Sequence, residues 1–498
     1  MVCLTSRAYY EIEYSDFYVD KAYQIAVSKN IDQGYGPKLV SLSDVDIDET
    51  KIRNLEGYTV FYSYLISILT PNISYKNAAD LIDIVSVLII VFSTLTLFRN
   101  TNVSRKTQSL FFLFFAFVPF PFNILTSNDL FLTAYFIALA SWFYLKFNNS
   151  SFKIKPFIVL SILIGILPFI KISSIPYMLT FPSFYFLYFL FTKNINYLKR
   201  GSLILLISVL TLFIIFYFIP FYGKSKTSEF GFYPLQLLQF DPFLQKSLFF
   251  INDYIRNISL YNVLKPALVV LNFIFLIIFY KMFKSKKSRF NSFYLFTFSS
   301  ILTTILFYSL CSIIFKGETW KIPHWTYVET SRYFGGAIII FQIGIFILFE
   351  EKIFNKMLKS VFLVVFIFNW LIFSKGFYEN ILLHKNKYNF NDNYEDMIMR
   401  CDFINAFKTE NKKLYANLNE KSGFDENFVY VNSDIFHHVE CDDIDDLNLS
   451  KTKDYCIFIN FQKDDKDHLI SKLKANNFSI KAMKEINDQT IILINSTR

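Results

Sequence analysis

Apolar runs of about 16 to 24 residues, parted by short charged or polar stretches, recur through the middle of the chain. That is the length a helix rising 1.5 Å per residue needs to cross a hydrocarbon core roughly 30 Å thick. The pattern predicts spanning helices over 82–98, 108–125, 130–146, 156–170, 174–192, 202–221, 266–281, 291–315, 334–350 and 358–374. Several are short and two adjoin Pro, which fits broken or re-entrant segments. Beyond about residue 385 the pattern changes to dense Asp, Asn and Lys with alternating patches at Phe428–Val431, Tyr455–Ile459 and Thr490–Ile494. These read as strands, and helical spacing from His468 to Ala475 adds a helix, giving a small α/β domain. The expected fold class is an all-α polytopic membrane bundle of about 10 to 11 helices, followed by that domain. The predicted organisation is an N-terminal loop at 1–81, a transmembrane helical domain at 82–374 and a soluble domain at 375–498.

Composition sharpens the class. At 53% hydrophobic and 18% charged, with 62 Phe and 32 Tyr among 498 residues, the chain is written for lipid and not for a soluble globule. Gly and Pro, 13 each, are too few for collagen-like or low-complexity sequence, and the five Cys show no metal-ligand or redox spacing. The net charge of +9 sits in short loops between apolar runs, which argues for membrane topology and against nucleic acid. Arg99, Arg105 and Lys106, then Lys146, Lys153 and Lys155, then Lys193, Lys199 and Arg200, then Lys281, Lys284, Lys286, Lys287 and Arg289 follow alternate spans. All fall on one side, which the charge bias makes cytoplasmic. Lys352, Lys356 and Lys359 agree, although Glu350 and Glu351 stand beside them.

The long polar segments, 1–81, 222–265, 316–333 and the tail, are thereby expected together on the extracytoplasmic face, where four elaborated loops favour a composite site. An exported N-terminal segment ordinarily follows a signal or anchoring helix, so a first helix upstream of Met1, or translocation driven by the first span, is expected. The Lys, Asn, Ile and Phe bias points to an AT-rich genome, and with the topology to a bacterial inner membrane.

Chemistry-bearing residues gather in a few stretches. In Tyr14–Ala26, Asp16 and Asp20 are four apart and share a helical face that Tyr23 continues; an Asp there serves either as a helix cap or as a base. Glu56-Gly57-Tyr58 opens a later apolar segment of the same loop. Ser127-Asn128-Asp129-Leu130 precedes the third span, and Lys171 closes the fourth within Gly165–Ser174. Lys171 suits either snorkelling to the interface or pairing with a phosphate at headgroup depth. Arg332, in Ser331-Arg332-Tyr333-Phe334, suits either an interfacial anchor or a bidentate grip on phosphate oxygens. The loop from Lys316 to Trp325 carries Trp320, His324 and Trp325, which suit an interfacial belt or a cavity wall. His437-His438-Val439-Glu440-Cys441-Asp442-Asp443 lacks ligand spacing, since adjacent strand residues face opposite ways, so no metal site is expected.

Taken in order, these segments resemble those of the GT-C glycosyltransferases, the polytopic enzymes that use polyprenyl-phosphate-linked sugars and include protein O-mannosyltransferases and the aminoarabinose transferase of lipid A. The resemblance extends over nearly the whole chain in architecture. It departs where the family carries an adjacent acidic pair and this chain has Val19-Asp20. It implies a hexosyl- or pentosyltransferase acting by inversion on the extracytoplasmic face, with a lipid, glycan or protein acceptor and membrane lipids around it. Under that resemblance Asp16 or Asp20 is the base, Lys171 and Arg332 hold the donor phosphate, and Tyr23, Glu56, Asp129, His324 and Tyr333 line the cavity. No cofactor is implied with certainty; a divalent cation is compatible with the family but has no support in these residues. The rival readings are an O-antigen-type polymerase or ligase, which would be expected to show Arg-rich extracytoplasmic loops, and a transporter or flippase of lipid-linked glycans, which would be expected to carry mid-membrane charges and two related halves.

Overall fold

The structure is a computed structural model, and it describes residues 19–32, 34, 36–37, 39–43, 50–53, 60–117, 130–148, 154–171, 174–218, 229–230, 259–285, 290–316, 335–351, 360, 363–364, 367, 399, 401–403, 405–406, 413–417, 437–440, 455–462, 466–475, 478–486 and 489–496. The chain divides into two compact units, one made mostly of 83–379, the other of 13–56, 60–82 and 380–498.

In the first unit, the predicted spans fall on helices: α3 (Tyr75–Asn100, whose first turns belong to the second unit), α4 (Arg105–Phe117), α5 (Leu130–Asn148), α6 (Ile154–Ile170), α7 (Ile175–Thr192), α8 (Ile195–Phe218), α9 (Ser259–Ser285), α10 (Asn291–Ile314) and α11 (Gly335–Leu348). Of the last predicted span, 358–374, the described positions 360, 363, 364 and 367 are helical. Among the described residues, Tyr75–Asn100, Ile175–Thr192 and Ile195–Ile215 are long and apolar enough to cross a membrane by length and composition.

Phenylalanine fills the interior. Trp142 packs edge-on against Phe184, with centroids 4.7 Å apart, and tilts over Phe296 at 4.9 Å; Phe279 stacks on Tyr294 at 5.4 Å. Edge-to-face and offset pairs of this kind suit aromatic quadrupoles, and the rings bridge gaps between helices that shorter aliphatic chains would leave open. Where helices come closest the sequence places glycine: a Cβ on Gly165 of α6 would stand 2.8 Å from the Ser208 carbonyl oxygen of α8. Helix α11 is buried along its whole length, so it is a central post of this unit.

The second unit holds α1 (Val19–Asp32) and α2 (Phe61–Leu69), together with a seven-stranded mixed sheet. The strands β1 (Leu39–Ser43), β2 (Thr50–Arg53), β5 (Lys413–Asn417), β6 (His437–Glu440), β7 (Tyr455–Gln462), β8 (Phe478–Ile486) and β9 (Gln489–Ser496) lie in the order β2-β1-β6-β5-β7-β9-β8. The strands β1, β6, β5 and β7 run parallel, and β9 and β8 close the far edge antiparallel. Helix α12 (Lys466–Ala475) buries Leu469 and Leu473. The expected strands at Tyr455–Ile459 and Thr490–Ile494 and the helix from His468 are present; Phe428–Val431 lies outside the described residues. The sheet is larger than the tail alone supplies, because the hairpin β1–β2 of the N-terminal segment adds to it through β6. A two-stranded pair, β3 (Glu229–Phe230) with β4 (Phe315–Lys316), joins two loops of the first unit.

Candidate functional site

Helix α1 carries Asp20 at its second position and Tyr23 one turn on; the side chains of both lie outside the described residues. The described side chains of this helix are unusually polar for buried surface: Lys21, Gln24, Ser28, Lys29 and Asn30 are all buried. Lys21, Gln24, Ser28 and Lys29 find chemistry among their neighbours. Lys21 Nζ lies 2.5 Å from Asp80 Oδ1 at the start of α3. Gln24 Oε1 accepts from the Ser63 hydroxyl, and the Ser28 hydroxyl donates to the Gln24 and Ser63 carbonyls at 2.8 and 2.9 Å. Lys29 Nζ sits 5.7 Å from the centre of the Tyr75 ring, a cation–π contact. At the end of α1 the Asp32 carboxylate accepts hydroxyls from Ser67, Thr70 and Tyr75. The helix is thus held to α2 and to the first turns of α3 by directional bonds that fix its rotation as well as its depth. Such directional bonds fix a helix more tightly than apolar contacts, which tolerate slippage.

In the first unit, Lys171 follows the last residue of α6 and is 7% exposed. A snorkelling lysine would place its head in water; this one is enclosed with the helix ends. Its backbone N–H donates to the Leu167 carbonyl at 3.1 Å, and its carbonyl accepts from the Ser174 N–H at 2.9 Å, so one turn links the end of α6 to the start of α7. Ser174 is the N-cap residue of α7, and Pro176 sits in the first turn, where a missing N–H costs nothing.

The start of α11 docks on the first turn of α7. Gly336 N–H donates to the Tyr177 hydroxyl at 3.1 Å, and a Cβ at Gly336 would stand 2.6 Å from the Tyr177 ring. Tyr177 in turn tilts against Tyr135 of α5 with centroids 4.9 Å apart, and the Tyr135 hydroxyl is 3.2 Å from that of Ser300. The beginnings of α7 and α11 therefore meet, three residues after Ser174 and four after Arg332.

Of the residues singled out in the sequence, Asp16, Glu56, Asp129, His324, Arg332 and Tyr333 lie outside the described residues. Sequence reasoning passed over Lys21, Asp80, Asp32, Tyr177 and Gly336. Only the Gly335-Gly336 doublet opening an apolar run carried a readable signal, since paired glycines at a helix start permit close approach.

No protein-family model matches the sequence, and no curated protein matches it. Among solved structures, the chain is similar to the crystal structure of ArnT from Cupriavidus metallidurans bound to undecaprenyl phosphate. The likeness has a TM-score of 0.51 at 10% identity and covers 99% of this chain and 97% of that one. At this identity the likeness speaks for architecture alone. The chain shares the fold of that structure.

Proposed function

We propose that this protein is a membrane glycosyltransferase that takes a sugar from a polyprenyl-phosphate donor and passes it to a lipid, glycan or protein acceptor on the extracytoplasmic side of a bacterial inner membrane. The observation that carries the reading is the buried ammonium of Lys171 at the turn into α7, with the start of α11 bonded to that helix through Gly336 and Tyr177. The ammonium end of a lysine held at a helix junction of an apolar bundle suits charge pairing with an anion. The fold is shared with a protein solved with undecaprenyl phosphate, and the alternation of Lys and Arg between spans supplies the orientation.

In this mechanism Asp16 or Asp20 takes the proton of the acceptor hydroxyl as its oxygen attacks the anomeric carbon. The new glycosidic bond forms as the bond from that carbon to the phosphate oxygen breaks, with inversion. Polyprenyl phosphate departs with the electron pair, and Lys171 and Arg332 stabilise its charge. Tyr23, Glu56, Asp129, His324 and Tyr333 are assigned to the cavity wall.

The test is transfer of labelled sugar by purified protein in detergent, with Asp16→Asn and Asp20→Asn variants. Transfer is expected to fall about 100-fold or more in one of the two, while binding of the donor persists. Equal transfer by both variants would remove the assigned base.

A further inference from the structure

The far end of α7, about 27 Å along that helix from Ser174, gathers rings and charges from three helices. Tyr188 sits 4.4 Å, centroid to centroid, from Tyr197 at the start of α8 and 5.9 Å from Phe283 at the end of α9. Phe191 lies 4.9 Å from Phe283 and 6.1 Å from Tyr280. This chain of rings ties the ends of α7, α8 and α9 together. Its outer members stay open: Phe191 is 43% exposed and Tyr280 39%, with Leu190 and Ile195 exposed beside them. A cation stands on each helix end. Arg200 lies over the Tyr197 ring, 5.8 Å from its centre, in a cation–π contact. Lys284 follows Tyr280 by one turn on the same face of α9, and Lys193 is the C-cap residue of α7.

The bias of Lys and Arg toward one side of a membrane accounts for charge near helix ends, but not for the backbone of Lys193. Its φ of 56° and ψ of 16° are left-handed, where Gly or Asn is the unstrained residue. A long cationic side chain is therefore kept where the backbone disfavours one. The dipole of α7 would be met as well by a cation in its last turn, which holds none. Exposed cations above exposed apolar surface complement an amphiphilic anion, charged at the headgroup and apolar below it.

We infer that the ends of α7, α8 and α9 form a binding site for an anionic phospholipid with two phosphodiesters in its headgroup, of the cardiolipin class. Lys193, Arg200 and Lys284 hold the phosphates, and Leu190, Phe191 and Tyr280 receive the acyl chains. Two phosphates suit cations that are spread over three helices, whereas a single phosphate suits a cluster on one. The site lies at the opposite end of α7 from Lys171 and does not depend on the donor reading.

Native mass spectrometry of the delipidated full chain in detergent gives the affinity for the first lipid bound. Cardiolipin, phosphatidylglycerol, phosphatidylcholine and undecaprenyl phosphate are titrated separately into wild type, Lys193→Gly, Arg200→Gln and Lys284→Gln. Lys106→Gln, which removes an exposed charge on α4, is the control for bulk charge. Cardiolipin is expected to bind about tenfold more tightly than phosphatidylglycerol or phosphatidylcholine, and each site variant to weaken it about fivefold while the control does not. Lys193→Gly, which relieves the left-handed residue, should unfold in lipid-free detergent no earlier than wild type, so that its lost affinity is not lost fold. Equal cardiolipin affinity in wild type and the site variants, or an equal loss in Lys106→Gln, would overturn the site. Tighter binding of phosphatidylglycerol would overturn the two-phosphate headgroup. Displacement of cardiolipin by equimolar undecaprenyl phosphate would give the site to that lipid and overturn the inference.

Discussion

Gly336 and Tyr177 lock two helix starts together: the N–H that Gly336 cannot satisfy within α11 is satisfied 3.1 Å away by the Tyr177 hydroxyl. The ring lies so close that any side chain at 336 would strike it, with a Cβ 2.6 Å from Cε1. Gly336→Ala is therefore expected to destabilise the protein by about 1–3 kcal/mol through overpacking. Tyr177→Phe should cost less, about 1–2 kcal/mol, by stranding one donor. Thermal unfolding in detergent ranks the two; a Gly336→Ala protein as stable as wild type would show that the helix starts are not packed this way.

Lys21 and Asp80 give the second prediction. The lysine side chain is 0% exposed and the aspartate 15%, so the pair is largely shielded from water. Lys21→Met or Asp80→Asn alone should cost on the order of 3 kcal/mol, and the double variant should recover a large part of the loss. Unfolding of the three variants gives the coupling; simple additivity would mean that the pair does not hold α1 in place.

The bundle was legible in the sequence and the second unit only partly so, for one physical reason. Lipid imposes a long uniform period, so runs such as 175–192 and 291–314 announce their helices within a residue or two. Strands β1 and β2 are only five and four residues long and find partners through non-local pairing, Leu42 with Val439 for example, which no local window contains. The site divides in the same way. Lys171 stood out because a charge closing an apolar span is conspicuous. Lys21 looked like an ordinary polar residue until burial and a distant partner, Asp80, marked it.

Glu350 accounts for acidic residues in an otherwise basic loop. Its Oε1 accepts from the Ser104 hydroxyl and the Thr107 hydroxyl at 2.5 Å each and from the Ser104 N–H at 3.2 Å, tying the end of α11 to the start of α4. A carboxylate at a helix N-terminus is favoured by the dipole as well. Glu350→Ala should lower stability by about 1–2 kcal/mol. Glu351, which accepts from the Tyr294 hydroxyl at the longer distance of 3.5 Å, should matter less. The reverse ranking in thermal unfolding would refute the staple.

The most direct test of the whole account is the product balance of a single turnover. Folded wild-type protein is given polyprenyl-monophosphate sugars and, separately, polyprenyl-diphosphate sugars, and both the transferred sugar and the released lipid are quantified. The account predicts one polyprenyl monophosphate released per sugar transferred, with release and transfer falling together in Lys171→Met. Turnover with diphosphate donors only, or movement of intact lipid-linked sugar across a bilayer without cleavage, would contradict it.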